Sequence, residues 1–406
     1  MARIAILSLH TSPLAQPGTG DGGGMNVYVR ELAAALARRG SAVDVFTRCE
    51  STNDPAEVAV EPGVVVHHVV AGPQGPLEKE ALPDVVGEFT AGVLERMTSR
   101  VDRYDAVHAN YWLSGVAGHS IKHELDLPLL VTFHTVERVQ AAASGRAPSA
   151  RAAQEEAIVA CADAVLASCD VEAEQLRDAL GVDRLAVVPL GVDHAVFGPG
   201  DRSQARRAIG VDADGPLLLF AGRLQALKGA DLALATLEEL LARGGSHRLV
   251  VVGGPSGPAG RSFAAELRDR ASRPALRGRV RFVDPQPHEL LSTYYRAADA
   301  CLVPSWAESF GLVALEASAC GTPVVASKVG GLSALVEDGT NGALVGDRAP
   351  KAWADAVEWV TEDALRATRL STGAVLRAQP YTWRAAAQRF EDVVIGVRDS
   401  QLVSCA

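Results

Sequence analysis

The chain has 406 residues, 48% apolar and 22% charged, and 39 Lys and Arg against 49 Asp and Glu give a formal charge of -10. That length allows two domains of ordinary size, and the apolar share is too high for a disordered chain. The acidic balance excludes a nucleic-acid binder built on broad basic patches, yet leaves room for a small phosphorylated ligand held by a few local cations.

The first apolar run, Arg3–Leu9, reads as a strand. It lacks the charged n-region and cleavage site of a signal peptide, and no run approaches the roughly 20 apolar residues of a membrane span. A cytoplasmic protein is expected. After Gly24 the apolar positions Val27, Leu32, Ala35 and Leu36 fall on one helical face, ending at Arg38-Arg39-Gly40. Further strands are predicted at Ala42–Thr47, Val64–Val69, Ala106–Ala109, Leu129–Phe133, Ala164–Ala167 and Leu185–Val188, with helices between them. The Gly-, Pro- and Asp-rich stretch from Val188 to Ser203 reads as a linker. A second series follows at Leu217–Ala221, Arg248–Val252, Val280–Val283, Ala300–Val303 and Pro323–Ala326, and a last helix at Arg384–Val397. Apolar strands alternating with amphipathic helices predict an α/β protein of two doubly wound parallel-sheet domains facing a central cleft. In such sheets ligands bind beyond the carboxyl ends of the strands. Six cysteines (Cys49, Cys161, Cys169, Cys301, Cys320 and Cys405) are scattered without a CxxC pair, so reduced core thiols are expected rather than zinc or disulfides.

Three features carry chemistry. Glu308 and Glu316 bracket the apolar segment ESFGLVALE, where Ser309 is expected to cap a helix whose first turn holds Phe310, Gly311 and Leu312. A helix N-terminus offers unpaired N–H groups to a phosphate-bearing ligand, and two acids along it suit the hydroxyls of a sugar and of a ribose. Arg223 and Lys228, in GRLQALKG after a buried strand, could neutralise a diphosphate. Three glycines, Gly22 to Gly24, open a helix and let backbone amides approach an anion. Taken alone, each charged pair reads first as solvated charge, and the glycines have a mobile loop as their alternative; together the three form an anion clamp with two sugar-binding acids. Gly18 to Gly23 also matches GxGxxG, but eight residues and two prolines separate it from the strand ending near Leu9, which argues against a dinucleotide fingerprint.

GRLQALKG, GGPSGP, RFVDPQPHEL, ESFGLVALE and GTPVVASKVGG resemble the retaining nucleotide-sugar glycosyltransferases of family 4, which have the GT-B fold. The resemblance covers nearly the whole chain. It implies an acceptor domain at 1–192, a nucleotide-sugar domain at 200–382 and a helix at about 383–406 packed back on the first. By matching positions, Gly24, Arg223 and Lys228 would meet the donor diphosphate. Glu316 would hold the ribose, Glu308 the hexose, and the amides of Ser309, Phe310, Gly311 and Leu312 both sugar and phosphate. Phe282 to Gln286 would line the uracil site, and His134 would lie beside the donor sugar. The opening HTSPLAQPGTGDGGGMNVYV and the run NYWLSG resemble members acting on a phosphorylated cyclitol, with UDP-N-acetylglucosamine as donor. Thr19, Asp21, Asn26, Lys79, Tyr111, Thr135 and Arg151 are then the acceptor positions, the last four around its phosphate. Departures are the short segment between Thr135 and Arg151, with Gln140-Ala141 in place of Lys-Asn, and Gln286 where arginine is frequent.

The resemblance implies no catalytic metal and no cofactor beyond the UDP-sugar substrate. A structural magnesium near Tyr295, Arg296 and Ala298 is compatible with it, as is a homodimer. No nucleic-acid or membrane partner is expected. Competing readings are a related transferase for another cyclitol or an aminocyclitol, a non-catalytic sugar-nucleotide sensor, a nicotinamide-dependent dehydrogenase, and a transferase acting on lipid or protein.

Overall fold

The computed structural model describes residues 2–211 and 215–404. The chain divides into two compact units: residues 1–15, 24–191 and 383–406 form the first, and residues 16–23 and 192–382 the second.

The first unit is built on β1 (Arg3–Leu7), β2 (Ala42–Arg48), β3 (Glu57–Glu61), β4 (Val64–Val69), β5 (Ala106–Asn110), β6 (Leu129–Thr132), β7 (Ala164–Ala167) and β8 (Leu185–Val187). Their order is β3-β4-β2-β1-β5-β6-β7-β8, with β3 antiparallel and the rest parallel. The interior strands are unbroken apolar runs because helices cover both faces. β3 was not foreseen: its sequence EVAVE is largely solvent-facing, and it pairs at the sheet edge with a register irregularity between Ala59 and Glu61. The last helix, Trp383–Arg398, belongs to this unit. It buries Trp383, Ala386, Ala387, Phe390 and Val394, and Glu391 accepts from Arg39 Nε at 2.7 Å.

In the second unit β9 (Leu217–Ala221), β10 (Arg248–Val252), β11 (Val280–Val283), β12 (Ala300–Val303), β13 (Val324–Ser327) and β14 (Gly342–Val345) form an all-parallel sheet ordered β11-β10-β9-β12-β13-β14. β14 escaped the sequence reading because its four residues, GALV, make too short an apolar run to stand out. In this order the winding reverses between β9 and β12, and in the first sheet between β1 and β5. The crevices where ligands bind in such sheets therefore lie beyond the carboxyl ends of these four strands. The segments leaving them carry Arg223 and Lys228, Glu308, the 8–24 stretch, and Tyr111.

Cys49, Cys169, Cys301 and Cys320 are buried in the interior. Cys161 is disulfide-bonded, which corrects the expectation of reduced thiols at that position. Two residues beyond Cys161, Asp163 Oδ1 accepts from Val403 N–H at 2.8 Å, a contact between distant parts of the chain that no local pattern signals. Cys405 lies outside the described residues. Among the described residues no helix is long and apolar enough to cross a membrane.

Candidate active site

In the second unit the strand-end loops bring Lys228 and Glu308 together. Lys228 Nζ donates to Glu308 Oε2 at 2.6 Å, and Ser305 Oγ to the same oxygen at 3.2 Å. The GG pair of the GTPVVASKVGG segment explains how that loop is held. A Cβ on Gly330, whose φ is +46°, would lie 2.0 Å from Glu308 O, and Gly331 N–H donates to that oxygen at 2.9 Å. The helix expected to be capped by Ser309, with Phe310 and Gly311 in its first turn, instead runs Leu312–Ala319, with Gly311 as its cap at φ +103°. This left-handed residue breaks the helix before Ser309 and Phe310 can join it, so Glu308 stands on a loop rather than along the helix axis.

Glu316 is buried on that helix. His288 Nε2 lies 2.6 Å from its Oε1, and Tyr295 OH donates to its Oε2 at 2.8 Å. Burial and the adjoining carboxylate hold the Tyr295 phenol well above its ordinary range, so it stays a donor. Arg223 reaches Asp21 O at 3.5 Å and Ser256 Oγ at 3.4 Å, and a Cβ on Gly23 would meet Arg223 Nε at 3.3 Å. The glycine-rich loop thus lies directly against Arg223, while Lys228 has a different partner. On the loop, Thr19 Oγ1 donates to Gln16 O at 2.6 Å. Gln16 Nε2 in turn donates to Pro285 O at 2.9 Å, tying the loop to the strand-end segment between Phe282 and Gln286. Arg268 stacks on the Phe282 ring at 5.4 Å, and Gln286 Nε2 folds back to Asp284 O at 2.9 Å.

The residues considered for a magnesium ion fit one poorly. The Tyr295 carbonyl already accepts from Thr322 Oγ1 at 2.6 Å and Ala298 N–H at 3.1 Å. Arg296 places a permanent cation there, donating to Gly198 O and Val196 O at 2.6 Å each.

In the first unit Lys79, Tyr111, Thr135 and Arg151, drawn from distant parts of the chain, converge. Lys79 Nζ and the Arg151 guanidinium each lie 4.6 Å from the centre of the Tyr111 ring. Arg151 also donates to Tyr111 OH at 3.0 Å, to Thr135 Oγ1 at 3.0 Å and to the Thr135 carbonyl. Two cations and two hydroxyls in one place match the oxygens of a dianion. Tyr111 and His134 have positive φ values, 73° and 60°, a strained state for bulky residues that gathers at working sites. His134 Nε2 is 2.9 Å from Asn110 Oδ1, and its ring meets Tyr28 edge-on at 5.0 Å. Burial pushes the His134 imidazole down to about 3, so it is neutral at physiological pH. Asn26 is buried, its Nδ2 donating to Thr11 Oγ1 at 2.6 Å and Ser12 O at 2.5 Å, and Gly24 opens the Gly24–Arg38 helix beside it. Thr19 and Asp21 belong to the second unit, and the other five acceptor positions to the first.

Comparison with known proteins places this geometry. Residues 201–376 match the family described as glycosyl transferases group 1, and residues 23–191 the glycosyl transferase 4-like domain. A protein named D-inositol 3-phosphate glycosyltransferase from Xylanimonas cellulosilytica is 47% identical over 404 residues, covering 96% of each chain. One of the same name from Actinosynnema mirum is 47% identical, covering 94% of each. The chain belongs to the group 1 glycosyltransferases. Among solved structures, sucrose-phosphate synthase from Thermosynechococcus elongatus superposes with a TM-score of 0.89 at 32% identity, covering 98% of this chain and 99% of that one. The glycosyltransferase therefore has the GT-B fold, with two parallel-sheet units.

Sequence reasoning passed over the carboxylates that set up this glycosyltransferase's basic cluster. Glu155, wholly buried, accepts from Arg151 Nε and from Glu137 N–H, at 2.7 and 2.9 Å. Glu137 accepts from Arg146 Nη1 at 2.6 Å and Ser149 N–H at 2.9 Å, which shapes the short segment leading to Arg151. The Arg146 guanidinium, above all, holds the Glu137 carboxyl down to about 2. The available signal was two acids flanking a Gly-containing loop before a helix; without a fold it reads as surface charge. His288 and Tyr295, which hold Glu316, were likewise missed, although His288 lies inside the RFVDPQPHEL segment.

Proposed function

We propose that this enzyme moves N-acetylglucosamine from UDP-N-acetylglucosamine to an inositol phosphate, 1L-myo-inositol 1-phosphate (D-inositol 3-phosphate), with retention at the sugar carbon. This would be the first glycosylation step of mycothiol biosynthesis. The observation that carries the acceptor reading is Lys79 and Arg151 against one tyrosine ring with Thr135 alongside. Two like charges held this close favour an anionic ligand. The names of the close relatives, D-inositol 3-phosphate glycosyltransferase, point the same way.

In the reaction, the bond between the sugar's C1 and the β-phosphate oxygen breaks, and a bond forms from C1 to an acceptor hydroxyl oxygen. The hydroxyl proton passes to the departing phosphate on the same face. Arg223 and Lys228 stabilise the charge growing on UDP, the largest contribution in catalysis of this kind. Gly24 and the amides of residues 309–312 assist them. Lys228 holds Glu308 ready for the hexose hydroxyls, and Glu316, fixed by His288 and Tyr295, accepts from the ribose. Segment 282–286 borders the base. His134, neutral and hydrogen-bonded to Asn110, orients the sugar rather than acting as the base. Asn26 faces the cyclitol hydroxyls.

The test is UDP release across several UDP-sugars, with 1L-myo-inositol 1-phosphate, free inositol and aminocyclitols as acceptors. Turnover is expected with the phosphate alone and best with UDP-N-acetylglucosamine. Free inositol used as readily as its phosphate would overturn the acceptor assignment.

A further inference from the structure

Lys79 opens a short 3-10 turn, Lys79–Val85, at the end of an irregular segment that follows β4. A side chain from another strand holds that segment. Arg48, the last residue of β2, has only 1% of its surface exposed. Its Nη1 donates to Pro73 O at 3.0 Å and Cys49 O at 3.2 Å, and its Nη2 to Gly75 O at 2.7 Å. The closest carboxylate is that of Glu50, 3.7 Å away and half-exposed. Arg48 Nε is buried with no hydrogen-bond partner. A buried guanidinium met mainly by carbonyls, with an unsatisfied donor, is a costly way to hold a loop. On the other side, the exposed Glu88 accepts Gly72 N–H at 2.7 Å. Gly72 is also pressed against Val85: a Cβ there would lie 2.5 Å from Val85 Cγ1. Residues 72–75 are thus pinned at three points, just ahead of the residue that delivers an ammonium to the Tyr111 ring.

We infer that Arg48 is a positioning residue for the acceptor: it fixes the 72–75 loop so that Lys79 presents its ammonium to the acceptor's phosphate. This rests on the phosphate reading proposed above. Arg48 touches no substrate in this scheme; it acts through the backbone of Pro73 and Gly75. A residue that only stabilised the fold would alter the enzyme whether or not Lys79 kept its charge. A residue acting through Lys79 would lose its influence once that charge is gone.

The experiment is a double-mutant cycle of Arg48→Met and Lys79→Met, read as KM for 1L-myo-inositol 1-phosphate and KM for UDP-N-acetylglucosamine. Lys79→Met should raise the acceptor KM by about 30-fold, as for a lost charge-assisted hydrogen bond. Arg48→Met should raise it by about tenfold, with the donor KM within about twofold, and add less than about twofold in the Lys79→Met background. Arg48→Lys, which can reach one carbonyl but not two, should restore part of the loss. Glu88→Ala, at an exposed position, removes the acceptor for Gly72 N–H and provides the same cycle on the loop if Arg48→Met does not fold. Full additivity, or an equal rise in both KM values, would overturn the inference. An unchanged acceptor KM in Arg48→Met beside a raised one in Lys79→Met would overturn it alone. An unchanged acceptor KM in Lys79→Met itself would overturn the phosphate reading as well.

Discussion

Replacing Arg151 with Met separates what the guanidinium does for the fold from what it does for the acceptor. Its Nε lies 2.7 Å from Glu155, and the two side chains are 11% and 0% exposed. Breaking such a pair by removing one partner costs about 3–5 kcal/mol, because the remaining charge is left in the interior. Glu155 would then keep only the Glu137 N–H at 2.9 Å. Burial already raises the Glu155 pKa, with Arg151 opposing the rise, so removing the guanidinium raises it further. A carboxyl whose folded pKa lies above its unfolded value supports stability at low pH and loses it as pH rises through the folded pKa. The deficit of Arg151→Met relative to wild type should therefore be smaller at pH 5 than at pH 8. Adding Glu155→Gln should recover about 2 kcal/mol, since a neutral amide still accepts from Glu137. Acceptor turnover should not recover: kcat/KM for the inositol phosphate should stay about 100-fold down in both variants, the worth of a guanidinium–phosphate contact. Urea unfolding at the two pH values and steady-state UDP release provide the measurements. A deficit independent of pH, or a double variant no more stable than the single one, would refute the buried-pair reasoning. Activity returning with stability would show that Arg151 serves the fold alone.

Three further outcomes follow from the same geometry. Gly330→Ala would push a methyl into the Glu308 carbonyl, so kcat/KM should fall by about 100-fold or more while circular dichroism stays close to wild type; unchanged kinetics would mean that the 308–310 loop tolerates displacement. Lys228→Met should lower kcat by about 100-fold, with unfolding free energy changed by less than about 1 kcal/mol because the Lys228–Glu308 pair is partly exposed; a large stability loss with intact kcat would reverse that assignment. Burial, and secondarily the nearby His134, push His108 down to about 3, below its unfolded value of about 6.5. The unfolded chain binds the extra proton, so stability is lost as pH falls below about 6.5, by about 2 kcal/mol at pH 5. Urea midpoints of wild type and His108→Gln at pH 7 and pH 5 should show the variant losing less; parallel losses would contradict the burial argument.

The interior strands were legible because helices cover both sheet faces, turning each strand into an apolar run. The edge strand Glu57–Glu61 carries no such signature, and Gly342–Val345 is too short to leave one. The 308–316 segment was legible in composition but not in geometry. Ser309 looks like a cap, yet the left-handed Gly311, held against Leu332, decides where the helix begins. The convergence of Lys79, Tyr111 and Arg151 could be read only through resemblance, since no local pattern links residues so far apart in the chain. Buried Glu155 was invisible for the opposite reason. On sequence it is one more acid in an amphipathic helix, and only packing shows that it is sealed inside.

The last helix has a practical consequence. Trp383, Phe390 and Val394 complete the interior of the unit that contains the chain's first strand, although almost the whole second unit separates them in sequence. Neither half can be expressed as one uninterrupted stretch. A chain stopped at Thr382 would injure the amino-terminal half, not the one just finished, and during synthesis that half cannot mature until residues 383–398 have been made.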